Sequence, residues 1–293
     1  MASTYEILTQ SQIDHFIDRG HVVVEQAFPR QLAAEWVELA YRRLGCAPDD
    51  PASWPEERVH MPGMNRVSIS EVAPRVWGAI CDLIGGPQRC ATAEPSWSDG
   101  FIVNFSLGAD KPWQPPSPQA GGWHKDGDFF RHFLDSPEQG LLTIVVWSDI
   151  EPQSGGTFVA CDSVRPVARR LYEHPEGLPP SGFGELVQEC RDFVEITGRA
   201  GDVVLLHPFV LHAASQNPSG RPRFITNPPV GLKEPMDFCG GAACAPVERA
   251  VLAGLGLERL DFRISGERQR LVPKRVERQR QMLAQQQARL AAQ

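Results

Sequence analysis

His124 and Asp126 stand two apart in Trp123-His124-Lys125-Asp126-Gly127, an imidazole and a carboxylate at a spacing that suits metal chemistry. On an extended strand, residues two apart point to the same face, roughly 6.5 Å apart along the backbone, so both can grip one ion from one side. A second histidine, His212 in Leu211-His212-Ala213, follows 88 residues later, with an arginine beyond it at Arg223. Two imidazoles and a carboxylate on one face of an octahedral ion leave the opposite positions open. That arrangement suits a non-heme ferrous centre that binds a co-substrate and oxygen together, with a guanidinium nearby to hold a carboxylate. An isolated His-x-Asp is a weak signal. The stretch from Gly201 to Arg223 strengthens it, because turn, strand, histidine, turn and arginine follow in that order.

The elements that must position these residues are legible as two textures. Thr9-Gln10-Ser11-Gln12 has the form of a capping box, and Ile13, Phe16 and Ile17 follow at helical spacing, which predicts a helix from about Ser11 to Arg19 ended by Gly20. His21 to Glu25 reads as a strand, and Pro29 opens a longer helix with Leu32, Trp36 and Ala40 on one face and a stop at Gly45. Ala47 to Val67, rich in proline and charge, reads as an irregular surface loop, and Val76 to Ile84 as a further helix closed by Gly85-Gly86-Pro87. From about Trp97 the pattern changes to short apolar runs separated by turn residues, the mark of a sandwich or barrel. Strands are predicted at Phe101–Phe105, Leu141–Trp147, Gly156–Ala160, Phe193–Ile196, Val203–Leu206 and Arg223–Asn227. The prolines from Pro112 to Pro118 forbid a central strand and predict a loop beside the site.

The chain has 293 residues, of which 42% are hydrophobic, enough for one β-rich domain over residues 1–265 with a helical tail over 266–293. A net charge of −7 argues against nucleic-acid binding, which needs a basic surface, and favours a small-molecule substrate. No apolar run approaches a membrane span, and the opening Met-Ala-Ser-Thr-Tyr-Glu-Ile lacks the features of a signal peptide, so a cytoplasmic location is expected. Seven scattered cysteines form no framework; Cys239 and Cys244, the one close pair, are expected to be ordinary thiols. The tail, dominated by Arg, Gln, Leu and Ala, is predicted to be helical after Pro273 and to pack on the domain or on a neighbouring subunit. Monomer and homo-oligomer both remain open.

From the opening helix and the His21-Val22-Val23-Val24 strand through about Asn227, with the His-x-Asp and distal His and Arg segments, the chain resembles the phytanoyl-CoA dioxygenase family of iron(II)- and 2-oxoglutarate-dependent oxygenases. The resemblance implies a mainly β fold with flanking helices, a double-stranded β-helix of jelly-roll, cupin-like form. It implies that His124, Asp126 and His212 ligate Fe(II). His207, which precedes Pro208, is the competing third ligand and is assigned a structural or supporting role, because in the family the histidine just before the small-residue turn binds the metal. Arg223 matches the arginine that pairs with the remote carboxylate of 2-oxoglutarate; Arg221 is the runner-up, more exposed beside Pro222. Trp147 matches an aromatic position bordering the co-substrate, Thr143 shares its face by period two, and Asn104 is positioned to donate to the co-substrate carboxylate near iron.

Two departures stand out. Ala214 occupies a position where the family often carries a small polar residue, and Cys161-Asp162-Ser163-Val164-Arg165 replaces a Gly-Ser-His turn. The implied reaction consumes O2 and 2-oxoglutarate, yields succinate and carbon dioxide, and hydroxylates or otherwise oxidises a C–H bond. Asp126, where halogenating relatives would carry Gly or Ala, disfavours halogenation. The substrate wall is expected to draw on Trp113, Phe129, Phe130, Arg131 and the loop near Phe209. The rival readings are a cupin-like hydrolase or isomerase using the same ligands, and a binding barrel without turnover.

Overall fold

The computed structural model describes residues 5–241 and 244–292. The opening residues, on which part of the signal-peptide expectation rests, lie outside that range. Helix α1 (Gln10–Arg19) starts where the sequence predicts: the Thr9 side chain accepts from the Gln12 amide at 3.3 Å, and Gln12 Oε1 accepts from the Thr9 amide at 2.9 Å. It ends at Gly20, whose φ of 70° and close approach to Val210 leave no room for a side chain. Strand β1 (His21–Val24) and helix α2 (Arg30–Leu44) follow, with Trp36 and Ala40 buried on the inner face of α2.

The segment expected to be an irregular loop carries two short strands, β2 (Arg58–His60) and β3 (Arg66–Ser68). In β2 only Val59 is buried, so no apolar alternation announces it; its register comes from its partner strand. Next come α3 (Ile69–Val72), α4 (Pro74–Ile84), β4 (Ser96–Ser98), β5 (Ile102–Asn104), β6 (Leu141–Val146), β7 (Thr157–Ala160), α5 (Val164–Tyr172) and β8 (Phe193–Ile196). The chain closes with β9 (Val203–Leu206), β10 (Leu211–Ala214), β11 (Arg223–Thr226), β12 (Pro229–Val230), α6 (Pro246–Leu255) and α7 (Arg275–Ala291).

The strands form a large antiparallel sheet in the order β1-β9-β6-β11-β5-β2, with β12 also on β6, and a smaller sheet β10-β7-β8; β3 and β4 pair separately. This is the double-stranded β-helix, mainly antiparallel sheet with flanking helices. The outer face of the large sheet is buried under α2. Trp147 stacks on Trp36 with centroids 4.7 Å apart and an 8° interplanar angle, and Phe224 meets Tyr41 edge-on at 5.2 Å.

Helix α7 lies against α2. Arg43, fully buried, pairs with Asp99 at 2.8 Å and donates to Gln286 of α7 at 2.9 Å, while Arg289 donates to the Arg43 carbonyl at 2.6 Å. Between α6 and α7 the chain runs back along the segment after Asp126: Arg131 donates to the Gln269 carbonyl, Leu271 to the Phe129 carbonyl, and Arg275 pairs with Asp128 at 2.8 Å. No helix among the described residues is long and apolar enough to cross a membrane.

Candidate metal centre and co-substrate site

His124 and Asp126 were expected on a continuous strand. The structure instead gives a single antiparallel bridge, in which His124 and His212 exchange both backbone hydrogen bonds at 3.0 Å. Glycines at 121, 122 and 127 cut the segment short; Gly127 turns at a φ of 118°, where an added Cβ would stand 2.6 Å from both His132 and Phe130. The bridge still does what a strand would have done, bringing together residues far apart in sequence.

His124 Nδ1 lies 2.8 Å from the Gly122 carbonyl and His212 Nδ1 3.2 Å from the Val210 carbonyl. A carbonyl only accepts, so each ring carries its proton on Nδ1 and turns the bare Nε2 inward. The two Nε2 atoms stand 3.4 and 3.5 Å from the same oxygen, Asp126 Oδ1. Cis donors about 2.1 Å from one octahedral ion sit about 3 Å apart, so two neutral imidazoles and a carboxylate at these separations fit a divalent first-row ion. Among the described residues this is the one group of three metal-ligating side chains that converge. Asp126 Oδ2 accepts from Asn227 Nδ2 at 2.7 Å, which fixes the carboxylate plane. Burial pushes the Asp126 carboxyl up, but His212 and then His124 hold it well below the usual carboxylate range.

Lys125, between His124 and Asp126, points the other way. Its Nζ lies 2.8 Å from His132 Nδ1, donates to the Asp126 carbonyl at 3.2 Å, and faces the rings of Phe130, Phe183 and Phe209 at 5.5 to 5.8 Å. Burial pulls the ammonium down to about 7. Phe130 and Phe209, expected to face substrate, are fully buried in this cage, and Arg131 spends its guanidinium on the Glu176 and Gly177 carbonyls. Trp113 packs on Phe158 at 5.6 Å and remains partly exposed, as does Phe129.

Arg223 is buried on the inner face of the large sheet, while Arg221 is exposed. Its Nε donates to the Gly155 carbonyl at 2.6 Å and Nη1 to the Ile102 carbonyl at 3.2 Å. These two bonds aim the fork without neutralising it. Burial, and then the charge of Arg58, pull its pKa down to about 9. A buried guanidinium with no carboxylate in reach among the described residues is costly unless an anion joins it. Asn104 sits opposite Arg223 in the β5–β11 register, but its amide also braces the wall, donating to the Ser215 carbonyl and accepting from the Leu107 amide.

Trp147 and Thr143 do not border this site. Ile225, on the same face as Arg223, pairs with Val146, so Trp147 falls on the opposite face and its indole donates to Thr226 at 3.0 Å within the layer under α2. Thr143 shares that outward phase and donates to the Pro228 carbonyl at 2.8 Å. His207 is likewise turned away: it accepts from the Phe209 amide at Nδ1 and donates from Nε2 to the Val247 carbonyl, tying β9 to α6. Cys239 and Cys244 are free thiols, one exposed and one buried.

Asn227 was missed by sequence reasoning, although period two from Arg223 through Ile225 reaches it on the same face. Arg58 and His60 escape sequence reasoning because β2, with only Val59 buried, carries no apolar period.

The family model described as phytanoyl-CoA dioxygenase (PhyH) matches residues 18–225. The chain belongs to the phytanoyl-CoA dioxygenase family. As a PhyH-family protein it is an enzyme of the 2-oxoglutarate-dependent oxygenase type, and the matched span includes the three converging donors and Arg223. Among solved structures, this PhyH-family chain is similar to the epimerase SnoN in complex with Fe3+, alpha ketoglutarate and nogalamycin RO, at 20% identity over 74% of this chain and 81% of that one, with a TM-score of 0.44. It is also similar to EctD from S. alaskensis in its apoform, at 17% identity over 77% of each chain and a TM-score of 0.45. HygX from Streptomyces hygroscopicus with nickel, 2-oxoglutarate and hygromycin B bound matches at 17% identity over 75% of this chain and 86% of that one, with a TM-score of 0.43. No curated protein matches the chain.

Proposed function

We propose that the protein is an Fe(II)- and 2-oxoglutarate-dependent dioxygenase that uses O2 to hydroxylate, or otherwise oxidise, a C–H bond of a small molecule, with release of succinate and carbon dioxide. The observation that carries this reading is the coexistence of two features. Three donors converge, with His124 half-exposed and His212 buried, and a buried guanidinium on the adjoining sheet lacks a carboxylate among the described residues. A metal site alone would equally suit a hydrolase or isomerase. Those chemistries give no reason to bury Arg223.

In this reading His124, Asp126 and His212 hold the iron through Nε2, Oδ1 and Nε2. Bound there, iron supplies the activation of oxygen that is coupled to decarboxylation of the co-substrate. The Gly122 and Val210 carbonyls keep both imidazoles in the ligating tautomer, and Asn227 prevents the carboxylate from swinging. Arg223 grips the far carboxylate of 2-oxoglutarate in a dry setting, where a charge-assisted fork is strongest, and Asn104 offers its remaining N–H beside it. The layer of Trp147, Trp36 and Phe224 behind β6 and β11 acts indirectly, keeping Arg223 from shifting.

The test is succinate formation from labelled 2-oxoglutarate with ferrous iron and ascorbate, in wild type, His212→Ala and Arg223→Ala. Loss of turnover in His212→Ala and a raised requirement for 2-oxoglutarate in Arg223→Ala are expected. Wild-type kinetics in either variant would remove the assignment, and metal-dependent turnover without oxygen would favour the hydrolase or isomerase.

A further inference from the structure

Arg58 stands at the edge-strand end of an inward-facing row. On β2 it pairs with Asn104 of β5, which pairs in turn with Arg223 of β11. Cα partners in adjacent strands share a face, and two strand spacings put the Arg58 and Arg223 backbones about 9.5 Å apart. Val59, between Arg58 and His60, is buried on the other side, so Arg58 and His60 share the face that carries Arg223. The two arginines differ in depth. Arg223 is buried and Arg58 exposed, and the His124 ring near the opening is half-exposed.

The charges around Arg58 are already spoken for. Glu56 pairs with Arg278, Glu57 turns back to the Gly108 amide, and Asp128 is held bidentately by Arg275. Among the described residues Arg58 has no carboxylate within ion-pair distance. Its charge nevertheless reaches the site: His60 is driven down to about 4 by burial and then by Arg58, Arg275 and Arg223, with Asp126 opposing them. The His60 imidazole thus feels the Asp126 carboxylate and three guanidinium groups together.

Charge counting gives the consequence. A divalent ion, the Asp126 carboxylate, the Arg223 guanidinium and doubly charged 2-oxoglutarate cancel, and Arg275 cancels Asp128. On this face Arg58 is the guanidinium left without an ion pair among the described residues, the neighbouring Glu57 carboxylate being turned back to the Gly108 amide. We infer that Arg58, at the mouth of the site, recognises an anionic group, a carboxylate or a phosphate ester, on the primary substrate. This rests on the oxygenase reading above and adds the substrate class to it. The remaining partly exposed aromatics, Trp113 and Phe129, are suited to the apolar body of such a molecule.

Ligand-observed NMR with benzoate, phenyl phosphate and neutral benzyl alcohol tests it on the full chain, loaded with zinc and saturated with 2-oxoglutarate. Expected are binding of at least one anion in preference to the alcohol, a tenfold or greater loss in Arg58→Gln, and retention of most affinity in Arg58→Lys. The tighter of the two anions decides between carboxylate and phosphate. Displacement of the anions by 2-oxoglutarate, or unchanged binding in Arg58→Gln, overturns the inference. Titrating 2-oxoglutarate into the zinc form before the probes are added separates the two claims. If 2-oxoglutarate does not bind the zinc form yet the anions still depend on Arg58, the oxygenase reading falls and the anion site stands. Firm 2-oxoglutarate binding with Arg58-independent anions defeats the anion site alone.

Discussion

Asn227 Nδ2 donates to Asp126 Oδ2 at 2.7 Å, leaving Oδ1 as the oxygen that both imidazoles approach. The bond crosses from the end of β11 to the segment before Gly127, so it ties the carboxylate to the strand that carries Arg223. Partners that orient a ligating carboxylate are worth about 10- to 100-fold in metal affinity. Asn227→Ala is expected to weaken Fe(II) or Co(II) binding by that factor in a chelator competition titration, with the far-ultraviolet dichroism unchanged. Wild-type metal affinity in that variant would show that the carboxylate needs no such brace.

Trp147 is expected to matter to stability rather than to the co-substrate. It is sealed between Trp36, Phe28, Trp97 and Phe101, so truncation leaves a large cavity. Trp147→Ala should cost about 3–5 kcal/mol in urea unfolding. Trp147→Phe, which loses the bond to Thr226 but keeps most of the ring packing, should retain 2-oxoglutarate affinity. A selective loss of that affinity in the Phe variant would restore the position to the site.

His207 gives the protein an acid limit. Burial, opposed by its bond to the Val247 carbonyl, pulls the imidazole down to about 3, from an ordinary value of 6.5. The unfolded chain therefore takes up a proton that the folded chain refuses. The contribution is intact above about pH 6.5 and declines as pH falls from there toward 3, amounting to about 2 kcal/mol lost by pH 5. His207→Gln should flatten the fall of unfolding free energy between pH 7 and 5. An equally steep fall in the variant would place the acid sensitivity elsewhere.

Arg43 and Asp99 form a buried pair in which the arginine also reaches Gln286 of α7 and the carboxylate accepts from Met64 and Asn65. Removing one member strands the other charge, at a cost of about 3–5 kcal/mol. Asp99→Ala should show that loss in denaturant titration, and should also speed proteolysis of the α7 segment. A loss under 1 kcal/mol would mean water or another group replaces the carboxylate.

Most of what the sequence made legible were elements with a long period or strong punctuation. The Thr9 capping box, the Gly20 and Gly45 stops and the apolar runs at Leu141, Phe193 and Val203 fall where expected, because local chemistry alone decides them. Strand β2 was not legible, since three residues with one buried valine carry no period and depend on β5 for their register. Helix α6 carries such marks too, Pro246 in the first turn and Gly256 at the cap. The spacing of His124, Asp126, His212 and Arg223 could be seen in the chain; the facing of Trp147 could not. It hinges on Ile225 pairing with Val146, a one-residue matter of phase that no local pattern fixes.

The return of residues 269–275 along Phe129, Arg131 and Asp128 has a consequence for the order of assembly. Asp128 and Arg275 stand 147 positions apart in sequence, so the loop after Asp126 gains this backing only once the strands between them have closed into the sheets. Refolding kinetics followed at that loop should therefore lag behind those of the strands.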